Sequence, residues 1–375
     1  MPSPVSILFT IPNFITAGSG MVLFNIVSRL NREKIAPAVC VLRKGGALEQ
    51  ELERLGISVL EAPFTVPAKP YFTLLPRAFK AARVFRPFRH IAWHSFHYAD
   101  DYSEPLIARF AGTKAWIYTK KAMGWGSRAW KIRSHLATRI VADNKDMPRL
   151  MFDHAILRNK VRVIHHGIPS GQFAPGGRSN LNIRQEIGCR VDEVLIGCVA
   201  HLVPVKGHPT LLQALAQIPQ ARLVMAGRPL EADYVASLHQ MVDKLRLADR
   251  VHFLGGVKDV PALLSELDIA VLPTWAKGRM EGCPVALLEA MSCGCACVAT
   301  DIPGSRDLIE HERSGLMVPP EDATALAHAL RRLASSPESR RKLGRAARQR
   351  VLDHFTIEKE VAAHEALYAE ILGLN

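Results

Sequence analysis

The stretch EGCPVALLEAMSCGCACVATDIPGS, residues 281–305, decides how the chain is read. It holds Glu281, Glu289 and the alternate cysteines Cys293, Cys295 and Cys297, so a metal or redox site is the first thing it suggests. The spacing argues against that. Zinc sites draw thiolates from C-x2–4-C pairs with a second pair at a distance, and no second pair follows here. CACVA precedes a turn and reads as a buried strand, where cysteine packs as a small apolar residue. No metal is expected.

The glutamates carry more information. PVALLEAM is strongly helical, with Pro284 suited to a first-turn position and Gly282 to the entry turn. At a rise of about 1.5 Å per residue, Glu281 and Glu289 lie roughly 12 Å apart along the axis. That is comparable to the distance from a hexose to a ribose across a diphosphate. A helix N-terminus adds amides and partial positive charge, which suit phosphate. One reading puts a sugar hydroxyl on Glu281, phosphate at the backbone from Gly282 through Cys283 and Pro284 to Val285, and ribose on Glu289. The other leaves a loop and a helix-surface glutamate in solvent.

Outward from this stretch, short β-branched runs alternate with amphipathic helices, the pattern of βαβ units and a parallel sheet. SILFTI, APAVCVL, GISVLEA, HIAWHS, KAWIYT and TRIVADN form one series. VLIGCVA, ARLVMAG, RVHFLG, DIAVLP and ACVAT form a second. Between them, residues 166–180 concentrate Gly, Pro, Ser and Asn and read as a linker. A chain of 375 residues exceeds one core. The expected fold class is α/β: two Rossmann-like domains, 1–165 and 181–356, with parallel sheets facing each other across a cleft. Ligands then belong at the carboxyl ends of the strands.

Composition narrows the class. Hydrophobic content of 48% with 22% charged residues describes a globular protein. No apolar run reaches the roughly 18 residues of a membrane span. No Lys or Arg precedes Arg29, so a basic leader region is missing and VSILFTI reads as a first strand. Seven cysteines, an odd number, suit a reducing cytoplasm. The net charge of +13 is lopsided: residues 1–165 hold 25 Lys+Arg against 11 Asp+Glu, and the remainder 23 against 24. Such asymmetry points to a polyanionic partner. Residues 120–139 mix Trp125 and Trp130 with Lys120, Lys121, Arg128, Lys131, Arg133 and Arg139, a composition suited to an anionic membrane surface. The plainer reading is an irregular loop and a solvated helix. No nucleic-acid module accompanies the charge, so nucleic acid is not an expected partner.

The run from Glu281 through SGLMVPPED resembles the E-x7-E region of retaining glycosyltransferases of family four, which have the GT-B fold. The resemblance extends through LVPVKGHPTLLQAL, ARLVMAG and VHFLGGVKDVPALLSELDIAVLPTW, and downstream to the C-terminus, covering residues 160–375. The N-terminal half matches more loosely, through AGSGMVLFNIVSRL. The resemblance implies that Glu289 binds ribose, Glu281 touches the donor sugar, and Lys206 in PVKG neutralises the diphosphate. Gly18, Ser19 and Gly20 resemble a glycine turn after the first strand whose amides meet the phosphate from the other domain. A helix over about 357–375 is expected to pack back on the first domain.

Two positions depart from the family pattern. His201 stands where relatives often have arginine; protonated it would touch phosphate, and buried it would be neutral. Lys121 stands where a histidine often lies near the reacting sugar, and suits an anionic acceptor. Asp100 and Asp101 read either as a metal pair or as a helix start, and Asp259 as a base contact or an N-cap. His94 and His97 are placed at the cleft, near the acceptor or in local hydrogen bonds. The implied activity is hexose transfer from a nucleotide sugar, a UDP- or GDP-sugar serving as substrate, with no cofactor and no metal. The implied acceptor is a glycan, glycolipid or lipopolysaccharide-type molecule, anionic and lipid-linked. The expected location is cytoplasmic, with a peripheral place on the inner face of the plasma membrane. The rivals are a nucleotide-sugar 2-epimerase of the same fold and a non-catalytic polyanion-binding protein.

Overall fold

Val5–Ile11 (β1) is buried along most of its length, as a central strand covered by helices on both faces must be. The computed structural model describes residues 3–15, 17–97, 99–176, 181–278 and 280–373. Around β1 form Ile35–Val41 (β2), Ser58–Glu61 (β3), Ala92–Ser95 (β4), Ala115–Lys120 (β5), Arg139–Ala142 (β6) and Val161–Val163 (β7). They pair in parallel in the order β3-β2-β1-β4-β5-β6-β7. The direction of winding reverses between β1 and β4, and doubly wound sheets bind ligands at such a switch point.

The second series repeats the plan. Val194–Val199 (β8), Ala221–Ala226 (β9), Val251–Gly255 (β10), Ile269–Leu272 (β11), Ala296–Thr300 (β12) and Leu316–Val318 (β13) make a parallel sheet in the order β10-β9-β8-β11-β12-β13. Here the switch falls between β8 and β11. Both domains are thus Rossmann-like. One comprises Met1–His166 with Ile357–Asn375, the other Gly167–Thr356. No helix among the described residues is long and apolar enough to cross a membrane.

The expected linker behaves differently. Ile168 and Phe173 are sunk in the core of the second domain. The Ile168 amide donates to the Phe355 carbonyl at 2.8 Å, and Arg348 donates to the carbonyls of Ser170 and Phe173 at 3.0 and 2.5 Å. Glycine and proline mark turns here, and two apolar anchors keep those turns on the core. Residues 177–180 of the expected linker lie outside the described residues.

The last helix, Ile357–Leu372, belongs to the first domain, and polar contacts fasten it along its length. The Asn31 amide donates to Glu365 at 2.6 Å, and Glu370 pairs with Arg139 and Arg162 at 2.9 and 2.8 Å. Tyr368 meets His94 Nδ1 at 2.7 Å, while Thr119 meets its Nε2 at 2.9 Å. His94 is therefore a fully buried core residue with both nitrogens engaged, not a group open to an acceptor.

Near the start of this helix, Glu360 lies 3.0 Å from Nδ1 of buried His166, whose Nε2 lies 3.2 Å from Asp143. A neutral imidazole has one N–H to donate, so a ring between two carboxylates is held as imidazolium. Burial works against that charge, but Asp143 and Glu360 outweigh it and raise the pKa from 6.5 to about 10.

Replacing His166 with Gln should therefore destabilise the first domain by about 3–5 kcal/mol near pH 6, because it strands two buried carboxylates. The unfolded ring loses its proton first. The wild-type advantage is thus complete below pH 6.5 and fades as pH rises through about 10. Urea unfolding followed by tryptophan fluorescence reads this domain, which holds Trp93, Trp116, Trp125 and Trp130 of the five tryptophans. An equal difference at pH 6 and pH 10 would mean that the ring is not held charged.

Candidate functional site

In the second domain the chain leaves β8 at the switch point and makes a tight turn, Pro204–Lys206, before the helix His208–Leu215. Gly207 ends the turn at φ +70, in the left-handed region, and a Cβ there would fall 1.9 Å from the Pro273 carbonyl oxygen. Only glycine lets this turn lie against the chain leaving β11. The Trp275 amide donates to the Val205 carbonyl at 2.9 Å, and its indole to Thr210 Oγ1 at 3.0 Å. Lys206 is thereby held on a rigid support. Its Nζ lies 2.6 Å from Glu281 Oε2.

Glu281 leads directly into the helix Val285–Ser292. Pro284 is the N-cap residue. It carries no N–H, so the amides expected to meet phosphate belong to Gly282, Cys283 and Val285, without Pro284. The loop is pinned from outside: a Cβ on Gly304 would lie 2.6 Å from the Gly282 carbonyl oxygen. Glu289 comes one turn later on the same helix. It is half-buried, its carboxylate has no partner among the described residues, and burial pushes its pKa from 4.5 to about 7. A carboxyl shielded from water and without a partner binds its proton more tightly than a solvated one.

His201 does not supply a charge. Burial, with Lys206 and Arg228 adding repulsion, lowers its pKa, and its Nδ1 accepts from the Arg228 amide at 3.3 Å. The cysteines pack: Cys283, Cys293, Cys295 and Cys297 are buried, and Cys295 Sγ donates to the Leu264 carbonyl at 3.2 Å. Among the described residues no three His, Cys, Asp or Glu side chains cluster as a metal site would require. Asp259 caps the helix Val260–Glu266, accepting from the Ala262 amide at 3.0 Å.

In the first domain, Gly18, Ser19 and Gly20 lie within the opening turns of the helix Ala17–Val27, not in a turn ahead of it. Their register is set by Phe14, whose ring would lie 3.2 Å from a Cβ on Gly20. Lys121 follows β5, donates to the Phe96 carbonyl at 3.0 Å and sits over its ring at 4.8 Å. Burial lowers its pKa to about 8, opposed by Asp143 and Glu360. Its charge thus already answers the surplus negative charge of the Asp143–His166–Glu360 group. Asp101 starts the helix Ser103–Phe110 by accepting from the Ser103 amide at 2.8 Å, and Asp100 accepts from the Ser127 amide at 2.7 Å. His97 is largely shielded from solvent, and that shielding, with repulsion from Arg133 and Lys121, lowers its pKa to about 3.

Sequence reasoning missed two buried charge groups. One is Asp143–His166–Glu360. The other joins Glu104 to Arg133 at 3.5 Å, with Thr10, Ser95 and Trp93 donating to the same carboxylate. No local signal announces either, since the partners stand up to 194 positions apart. Arg133 is almost fully buried, with its guanidinium also 4.9 Å from the Trp116 ring, so it is no part of a basic surface. Trp125 and Trp130 stack on each other at 4.3 Å, and the Lys120 ammonium covers Trp125 at 4.0 Å.

Residues 179–350 match the family model described as Glycosyl transferases group 1. Over those residues the chain is similar to group 1 glycosyltransferases. It is similar to N-acetyl-alpha-D-glucosaminyl L-malate synthase of Bacillus anthracis, 29% identical over 198 residues, 52% of this chain and 50% of that protein. It is similar also to the GDP-mannose-dependent alpha-(1-6)-phosphatidylinositol monomannoside mannosyltransferase of Mycolicibacterium smegmatis, 27% identical over 50% of this chain and 51% of that one. The chain thus spans about half the length of these curated relatives. In fold it resembles the Anabaena Alr3699/HepE structure in complex with UDP and glucose, with a TM-score of 0.83 at 21% identity over 97% of this chain and 99% of that one. A glycosyltransferase from Rickettsia africae aligns at a TM-score of 0.85 with 19% identity, covering 99% of this chain and 100% of that one. The fold is GT-B.

The half-buried, unpartnered carboxyl of Glu289 costs the second domain stability. Its raised pKa means that stability is complete below 4.5 and falls as pH rises through about 7. Glu289→Gln should therefore stabilise the ligand-free protein by on the order of 1–3 kcal/mol at pH 8, and hardly at pH 5. Thermal melts of both proteins at the two pH values read the difference. A variant no more stable at pH 8 than at pH 5 would place the carboxylate in solvent.

Proposed function

We propose that the chain is a retaining hexosyltransferase acting from a UDP- or GDP-sugar. The observation that carries the reading is the Lys206–Glu281 pair at the entry of the helix Val285–Ser292, with half-buried, unpartnered Glu289 one turn along that helix. Glu289 accepts from ribose hydroxyls, which supply its missing donors. The amides of Gly282, Cys283 and Val285 meet the diphosphate with the partial positive charge of the helix. Lys206 turns from Glu281 to the phosphate, and Glu281 takes a hydroxyl of the sugar. The names of the curated relatives, and the UDP and glucose in the Anabaena structure's description, support a nucleotide-sugar donor.

Transfer proceeds on the front face of the sugar. The bond from the anomeric carbon to the phosphate oxygen breaks while the acceptor oxygen bonds the same face, and the acceptor proton passes to the departing phosphate. Charge grows on the leaving group as the bond lengthens, so Lys206 and the helix amides stabilise the transition state more than the ground state. They do the neutralising that a metal would do elsewhere, and no cofactor enters the scheme. The excess positive charge of the first domain favours an anionic, lipid-linked acceptor at a membrane surface.

A thermal-shift screen against UDP- and GDP-sugars identifies the donor, and incubating that donor with and without lipid-linked acceptor separates transfer from epimerisation. Glu289→Ala should weaken nucleoside diphosphate binding at least about tenfold, through lost charge-assisted bonds. Glu281→Gln should slow transfer while the bare diphosphate binds as well as before or better, because Lys206 loses its competing partner. Equal losses for nucleotide and sugar nucleotide in Glu281→Gln would reverse the two glutamate roles.

A further inference from the structure

Residues 69–89, KPYFTLLPRAFKAARVFRPFR, hold six Lys and Arg and no Asp or Glu. A short turn, Tyr71–Thr73, leads into the helix Leu74–Ala82. Its inward side, Leu74, Ala78, Ala81 and Ala82 with Phe85 beyond it, is buried, which explains why the segment folds as a helix on this domain. Its outward side is apolar as well. Phe72 is 84% exposed, Tyr71 64% and Leu75 55%. Leu75, Phe79 and Arg83 step along one ridge at a spacing of four, so they share a face. The Arg86 guanidinium lies over the Phe79 ring at 4.4 Å, which keeps that ring on the ridge.

Nothing in the domain's own packing needs these exposed side chains. Folding leaves single apolar residues on surfaces, but a contiguous aromatic patch rimmed by charge marks an interaction site. Among the described residues, none of Lys69, Arg77, Lys80, Arg83, Arg86 and Arg89 pairs with a carboxylate, so the cationic rim has no counter-charge among them. Apolar side chains that project together from a surface suit a soft layer into which they sink. A cationic rim suits phosphate headgroups.

We propose that this face lies flat on an anionic lipid bilayer, with Tyr71, Phe72 and Leu75 at the boundary of headgroups and acyl chains and Lys69, Lys80, Arg83 and Arg89 on lipid phosphates. The inference deepens, and rests on, the reading of the chain as an enzyme at a membrane surface. It moves the contact away from residues 120–139, where Arg133 is buried and the two tryptophans cover each other.

Co-sedimentation of the full chain tests it, with vesicles of phosphatidylcholine alone or mixed with phosphatidylglycerol, at low and high salt. Wild-type protein should sediment with the anionic vesicles, more weakly as salt rises. Replacing Lys80, Arg83 and Arg89 together with Ser should cut partitioning about a hundredfold at low salt. Phe72→Ser with Leu75→Ser should remove the binding that persists at high salt. Replacing Arg128 and Lys131 with Ser should cost far less than either. All these positions are exposed, so each variant should keep the wild-type melting temperature, and its nucleotide binding reports separately on the second domain. The proposal is overturned if wild-type protein stays in the supernatant with anionic vesicles at low salt, or if the 72/75 and 80/83/89 variants sediment like wild type. It is equally overturned if the 128/131 variant carries the loss. Any of these leaves the nucleotide-sugar reading standing, since that is measured by ligand binding alone.

Discussion

An imidazolium between two buried carboxylates holds the first domain together. Asp143 follows the strand Arg139–Ala142, His166 is the last residue before the second domain begins, and Glu360 stands in the final helix. Three segments remote in sequence are therefore joined by charges that no solvent can satisfy. The attraction in such a low-dielectric place is strong, and so is the penalty for removing one partner. Two carboxylates against one imidazolium leave a negative surplus, and the Lys121 ammonium responds to both. This changes what Lys121 is available to do. A cation balancing a buried cluster is less free to clamp an anionic acceptor than its place after β5 suggests.

The second domain solves a different problem, setting a lysine and a carboxylate against each other at the entry of a helix that carries a second carboxyl farther along. Backbone contact does most of it. Gly207 and Gly304 bring segments so close that a single methyl group would collide with a carbonyl oxygen. Those contacts make the Lys206 turn and the Glu281 loop stiff before any ligand arrives, and stiffness spares the ordering entropy that a loose loop would lose on binding. Lys206 and Glu281 neutralise each other meanwhile. Glu289 is left unpaired, and its raised pKa records a cost that the folded domain bears.

Much of this was legible in the chain. Alternating β-branched runs and amphipathic helices announce two parallel sheets, because a strand buried on both faces must be apolar throughout and each crossover must cover it. The cysteines of residues 293–297 read as packing from spacing alone. Glu281 and Glu289 could be placed at the entry and along one helix because local order sets helix geometry and glycine and proline mark where it begins. Lys206 joined them only through the resemblance to family-four glycosyltransferases. The same markers misled at residues 166–180, where Ile168 and Phe173 anchor a stretch that composition describes as a linker. They misled again at Gly18 to Gly20, which composition describes as a turn and the structure places inside a helix.

Charge proved the least legible property, since burial decides what a charge does and burial is a tertiary quantity. Arg133 counts toward a basic surface in the sequence, yet it is enclosed with Glu104. His94 and His97 follow a strand and could face a ligand or bond locally, and the structure buries His94 fully and His97 largely. His166 and Glu360 carry no local signal at all, because the partners that give them their protonation states stand far away in sequence. Sequence by itself determined the order of strands and helices and the composition of the helix start around Glu281, since both follow from short-range periodicity and turn chemistry. Only the tertiary structure decided which cations meet solvent, which carboxyls lack a partner, and which apolar side chains remain uncovered. Each of those depends on what long-range packing brings within a few ångströms.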